Sequence, residues 1–151
     1  MCIRDRPSGS ALTHAGTLVG LVEQSDEIEC IGICVRRKAE LQHPRVLARA
    51  GELAAMIERP GLIGGGDVRV EDIALGPGYG VPGEDALDAM RLAARLEGLL
   101  LDPVYSAKAL AGLIALARAG EIGTEEAVVF FHTGGTPALF GYANLLNRAF
   151  A

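Results

Sequence analysis

Residues 29–35, ECIGICV, form a continuous apolar run behind a single acid, with isoleucine at 31 and 33 and valine at 35. An extended run with no polar alternation is buried on both faces, and such strands belong to parallel sheets covered by helices on either side. This segment predicts an α/β chain, and its neighbours have the matching periods. THAGTLVGLVEQ before it and HPRVLARAGELAAMIE after it carry apolar residues at helical spacing, the latter with Pro44 at a tolerated first-turn position. Gly61 and the run Gly64–Gly66 end that helix, and VRVEDIAL predicts a short strand. EDALDAMRLAARLEG opens with acids, keeps one apolar stripe and closes on Gly98, all signs of a helix. LLLDPVYS predicts a short strand leaving into a turn, and AKALAGLIALARAG a helix ended by Gly120. EEAVVFFHTGG predicts a strand meeting a glycine pair, and TPALFGYANLLN a last helix with Pro137 near its first turn. The expected fold is a doubly wound, mostly parallel sheet with helices on both faces, in one domain.

Composition narrows the function classes. The 151 residues are half apolar, with 5% aromatics and no Trp, a mix suited to helices packed on a buried sheet. The net charge of -5 is spread without a basic stripe, which argues against a nucleic-acid partner. Apolar runs such as AVVFF are far shorter than the ~20 residues of a spanning helix, so no membrane role is expected. Cys30 and Cys34 share one strand face about 13 Å apart by strand rise, too far to bridge. Nothing near them has metal-ligand spacing; buried thiols fit a reducing, cytoplasmic compartment. Residues 1–6, MCIRDR, have neither an apolar signal core nor a period. They are set aside as a non-native leader, and the domain is taken as residues 7–151.

Ligands of open α/β sheets sit beyond the carboxyl ends of the strands. Four loops belong there: SGSALTHAG, GPGYGVPG, DPVYSAK and HTGGTP. SGSALTHAG can cradle an anion, since amides at a helix start are free and Ser10 and Thr13 add hydroxyl donors. The same residues can be simple N-caps. Tyr79 and Tyr105 are candidate site residues or ordinary half-buried tyrosines. His14 and His132 read as structural hydrogen-bonders, and Lys108 as a surface or cap residue.

Taken together, SGSALTHAG, PGYGVP, LLLDPVYSAKALAGLI and FFHTGGTPALFGY resemble, in order and spacing, the D-cysteine desulfhydrase and 1-aminocyclopropane-1-carboxylate deaminase family. The resemblance runs from residue 8 to about 143, and DPVY and HTGG are its most specific parts. It implies the C-terminal part of a tryptophan-synthase-β-like fold that uses pyridoxal 5'-phosphate, acts on a small amino acid and works as a homodimer. Complete members are roughly twice this length. Their covalent cofactor lysine lies in an N-terminal half with no counterpart here, so an inactive truncation is expected. By the same resemblance, Ser10, Ala11, Leu12 and Thr13 hold the cofactor phosphate. Leu12 stands where the family has a small residue. Tyr79 and Tyr105 line the substrate side, Ser106 faces the pyridine nitrogen, and Thr133 and Gly134 lie beside the ring.

Position 106 discriminates between chemistries. The ring-opening deaminases carry Glu there, and a carboxylate keeps the pyridine nitrogen protonated and the ring a strong electron sink. A serine hydroxyl does not. The weaker sink still supports loss of an α-proton and expulsion of a good β-leaving group. The expected reaction is therefore β-elimination from a cysteine-like amino acid to pyruvate, ammonia and sulfide. Ring opening, L-cysteate sulfo-lysis and a non-catalytic α/β fragment are the alternatives.

Overall fold

The computed structural model describes residues 2–24 and 28–151, with residues 2–6 described as backbone only. Four strands form one parallel sheet: β1 (Cys2–Ser8), β2 (Cys30–Cys34), β3 (Arg69–Glu71) and β4 (Ala127–Phe130). Their order is β3-β2-β1-β4, and every ladder is parallel. The chain winds outward from β1 through β2 to β3, then returns to pair β4 with the other edge of β1.

Helices cover both faces, as expected. Helices α1 (Leu12–Glu23) and α2 (Ala39–Met56) pack on one face, in a core with Cys30 and Val68. Helix α4 (Ser106–Arg118) packs on the other, against Ile31 and Ile33, and α3 (Glu84–Glu97) packs outside α4. All five residues of β2 are buried, the both-face burial its apolar run predicts. Gly32 and Gly112 mark the tightest approaches. A Cβ on Gly32 would lie 2.2 Å from Nδ1 of His14, and one on Gly112 would lie 2.7 Å from Ile33. Burial, aided by Asp72 and Glu71, pushes the Cys34 thiol up to about 12.

Several boundaries differ from the expectation, each for a physical reason. Residues 2–8, mostly set aside as leader, pair with both β2 and β4. Strand pairing needs only backbone, so the lack of periodicity in MCIRDR did not exclude a strand. Helix α2 begins at Ala39 rather than near His43, placing Pro44 in its second turn. The cap is tertiary: the Ala39 amide donates to Oδ2 of Asp72 at 2.9 Å. Residues 99–105 form no strand, because the Asp102 carboxylate gathers the following amides into a turn. The last helix divides at Tyr142 into α5 (Ala138–Gly141) and α6 (Ala143–Ala149).

Among the described residues no helix is long and apolar enough to cross a membrane. Large apolar side chains nonetheless face outward, including Leu96, Leu99, Leu100, Val129 and Phe140, the last 85% exposed. Apolar surface of this kind drives association. The purified chain is expected to elute in size-exclusion chromatography above its monomer mass, increasingly so with concentration. A monomer at every concentration would show that these side chains are tolerated singly.

Candidate active site

The reversal of winding at β1 leaves a crevice between the loops that follow β1 and β4, where open α/β sheets bind ligands. A cavity of about 420 Å³ occupies it. Most of its walls come from segments beyond a strand's carboxyl end: Gly9, Ser10 and Thr13 after β1, Arg36 after β2, Tyr79 after β3, and Thr133, Gly134 and Gly135 after β4, with Pro7 from the end of β1 itself. Tyr105 enters from the turn that starts α4.

The turn from β1 to α1 is shaped as an anion cradle. Ala11 holds a left-handed backbone, φ 78°, unusual for a residue with a Cβ and costing about 1–3 kcal/mol. A left-handed residue followed by helical ones points successive amides into one concavity. Ala11, at the N-cap, has no side chain that could cap this end of α1, and a helix start turns the positive end of its dipole toward an anion. The turn is braced from behind. Arg37 Nη1 donates to the Gly9 carbonyl at 3.1 Å, and Gln42 Nε2 donates to Ser8 Oγ at 3.0 Å. Ser8 Oγ also lies 3.3 Å from Nδ1 of the buried His14. His14 and His132 fill structural places, the latter with Nε2 3.2 Å from the Leu100 carbonyl.

On the opposite wall the hydroxyls of Tyr79 and Tyr105 are hydrogen-bonded to each other, with their rings edge to face at 6.2 Å. The Arg36 guanidinium lies 5.1 Å from the Tyr79 ring centroid, a cation–π contact. The hydrogen bond from Tyr79, helped by partial burial, holds the Tyr105 phenol above its ordinary value.

Asp102 organises the third wall. Its carboxylate accepts the amides of Val104 (2.9 Å), Tyr105 (2.8 Å) and Ser106 (2.9 Å), together with the Ser106 hydroxyl (2.7 Å). The Asp102 amide in turn donates to Ser106 Oγ at 2.8 Å. This reciprocal bonding caps α4 and points Tyr105 into the cavity. Gly135 closes over the same carboxylate: a Cβ there would lie 2.5 Å from Asp102 Oδ1, and its φ of 98° favours glycine as well.

The structure therefore brings Ser10, Thr13, Tyr79, Tyr105, Thr133 and Gly134 around one cavity. It does not bring Ser106, whose hydroxyl is buried and engaged with Asp102 rather than lining the wall. Nor do Ala11 and Leu12 line the cavity: Ala11 is buried beneath the turn it bends, and Leu12 is 56% exposed. Sequence reasoning missed Asp102, Arg36 and Gly135. Asp102 carried a signal, an acid ahead of a helix start in DPVYS, while Arg36 gains meaning only from its neighbours in space. Lys108 is corrected outright: expected at the surface or as a cap, it is fully buried. A long aliphatic stem in a helix packed on both sides is accommodated inside when backbone carbonyls take the ammonium.

A family model described as "Pyridoxal-phosphate dependent enzyme" matches residues 6–134. The chain belongs to the pyridoxal-phosphate-dependent enzyme family. It is 46% identical over 136 residues to D-cysteine desulfhydrase from Yersinia enterocolitica, and 43% identical over 135 residues to the one from Salmonella typhi. Each match covers 89% of this chain and 40% of the relative, so the chain spans about two fifths of the length of these curated relatives. The crystal structure of an ACC deaminase homologue superposes with a TM-score of 0.82 at 32% identity, over 97% of this chain and 43% of that one. The α/β fold is thus that of a known pyridoxal-phosphate enzyme.

The cavity fits the family's cofactor. Its volume suits a small aromatic phosphate. The uncapped start of α1 suits the phosphate, and the glycines at 134 and 135 let a planar ring approach the backbone.

The tyrosine pair can be tested directly, since the chain has three tyrosines and no Trp. Tyr79→Phe is expected to bring the Tyr105 titration down toward the ordinary 10.0, read by tyrosine ultraviolet absorbance. Because the folded value is raised, this group's contribution to stability is full below that ordinary value and lost as pH rises through the folded one. A Tyr105 titration unmoved by Tyr79→Phe would mean that the hydroxyls are not paired in solution.

Proposed function

We propose that this chain is the C-terminal part of a D-cysteine desulfhydrase-type enzyme. Such an enzyme performs pyridoxal-phosphate-dependent β-elimination on a cysteine-like amino acid, giving pyruvate, ammonia and sulfide. The observation that carries the reading is one cavity lined on one side by an uncapped, strained helix entry and on the other by a hydrogen-bonded tyrosine pair. The D-cysteine desulfhydrase relatives supply the substrate class, and because this chain spans two fifths of their length, the reading puts the covalent lysine in a part of the enzyme this chain does not include. A cytoplasmic homodimer is the corresponding assembly.

When bound, pyridoxal phosphate supplies an electron sink for carbanion chemistry at the amino acid's α-carbon. The rest falls to side chains. The helix start after Ala11 and the hydroxyls of Ser10 and Thr13 would hold the phosphate. Thr133 and Gly134 would lie beside the ring. The paired Tyr79 and Tyr105 hydroxyls face the cavity and would donate or relay a proton to a substrate held there; a phenol is protonated at neutral pH, and the Tyr79 hydrogen bond raises the Tyr105 value further. Arg36 adds a positive charge beside Tyr79 that attracts an amino-acid anion. Ser106 stands at the motif position where ring-opening deaminases have a carboxylate; its hydroxyl is turned into the Asp102 cap and away from the cavity lining, so the preference for elimination over ring opening rests on the sequence position. Its bond to Asp102 means that the carboxylate reaches this region only through the hydroxyl.

The test is pyruvate release from D-cysteine by the complete enzyme and by the 151-residue chain alone with excess cofactor. The complete enzyme is expected to turn over, and Tyr79→Phe and Tyr105→Phe each to lower kcat/KM at least about tenfold, ~1.4 kcal/mol of transition-state stabilisation. The chain alone is expected to show no turnover above free cofactor. Turnover by the chain alone would refute the assignment of the lysine to another segment. A complete enzyme that opens the cyclopropane substrate instead would refute the reading of position 106.

A further inference from the structure

Lys108 is the largest fully buried side chain among the described residues. A charged amine is almost never fully buried without partners, because desolvation costs several kcal/mol per ion. Its partners are two carbonyls of one loop: Nζ donates to Leu75 O at 2.6 Å and to Gly78 O at 2.8 Å. Among the described residues it makes no ion pair. Burial lowers its pKa, and the Asp85 charge partly opposes this.

The loop so held is the one that carries Tyr79, the residue after Gly78. Lys108 also stands three positions beyond Tyr105, the residue immediately before the first turn of α4. Residues three apart share a helix face. One rigid helix thus presents Tyr105 directly and holds the Tyr79 loop through a charge. The loop has little stiffness of its own. It has left-handed glycines at 76 and 80 and a single isolated bridge, Gly78 to Val81. A second pin comes from the far end of the chain, where Tyr142 Oη donates to Gly80 O at 2.6 Å.

We infer that Lys108 is a positioning residue that clamps the 75–78 carbonyls onto α4 and so sets Tyr79 against Tyr105 at the cavity. Its bearing on turnover rests on the β-elimination reading; the clamp itself does not. The geometry explains why a charge is buried here rather than a leucine. A carbonyl pair facing an apolar side chain would be left unsatisfied, and the loop would swing to water.

The experiment is NMR of the chain with labelled tyrosine and lysine. In the unaltered chain, Lys108 Nζ is expected as a slowly exchanging signal with contacts to Gly76, and the Tyr79 and Tyr105 rings to show an interring NOE. Lys108→Met is expected to abolish that NOE and to raise amide exchange at residues 75–81 at least tenfold, with exchange in β2 unchanged. Lys108→Ala is expected to lose the NOE and to regain it with added propylammonium but not with sodium chloride at equal ionic strength. A persisting NOE in both variants, or a rapidly exchanging Lys108 amine without contacts to the loop in the unaltered chain, would overturn the clamp; the second observation holds even if the variants fail to fold. In the complete enzyme, Lys108→Met is expected to lower kcat about tenfold with cofactor loading unchanged. Unchanged kcat with the NOE lost would overturn the role of the tyrosine pair in turnover while leaving the clamp intact.

Discussion

Strand β1 pairs on both sides, with β2 along one edge and β4 along the other, and the winding of the chain reverses there. The crevice, the cradle and the tyrosine wall all depend on that reversal. Parallel strands bring all their carboxyl ends to one rim, so the turns after β1 and β4 diverge from a common line and leave room between them. The turn after β1 becomes a helix entry bent by the left-handed Ala11, and the turn after β4 becomes a glycine pair whose Gly135 lies against the Asp102 carboxylate. Neither loop makes a site alone. Their opposition across the switch point does.

Local periodicity was enough to read much of this from the sequence. The apolar run of β2 announced a covered parallel sheet. The caps and stripes of α3 and α4 fixed two helices to within a residue or two. The small-residue loops lie at the carboxyl rim as expected, and six of the nine singled-out site positions line the cavity there, while Ala11, Leu12 and Ser106 do not. What escaped was set by contacts between distant segments. Helix α2 starts where Asp72 caps it, more than thirty residues away. Residues 2–8 enter the sheet through backbone pairing that a charged, aperiodic sequence does not advertise. DPVYS resembled a strand end because Leu99, Leu100 and Leu101 precede it, yet Asp102 spends its carboxylate on the next amides and begins a helix.

Ser106 and Lys108 show the same limit from two directions. Ser106 was assigned by position in a motif, and its hydroxyl is instead turned toward the Asp102 cap, so any role at a ring nitrogen runs through that shared hydrogen bond. Lys108 was dismissed because lysines early in helices are commonly exposed. The deciding fact was a pair of loop carbonyls thirty residues upstream. Buried charge in this fold goes to holding loops rather than to the cavity itself, and the cavity's own polarity comes from hydroxyls, amides and Arg36.

The central claim is that the turn after β1 is built to hold the phosphate of the family's cofactor. Equilibrium dialysis of the chain against pyridoxal 5'-phosphate and against pyridoxal tests it most directly, because the two ligands share a ring and an aldehyde and differ in the phosphate. The account predicts that the phosphorylated form binds at least about tenfold more tightly, a difference of ~1.4 kcal/mol, and that inorganic phosphate competes with it. Equal affinity for the two ligands, or indifference to phosphate, would contradict it.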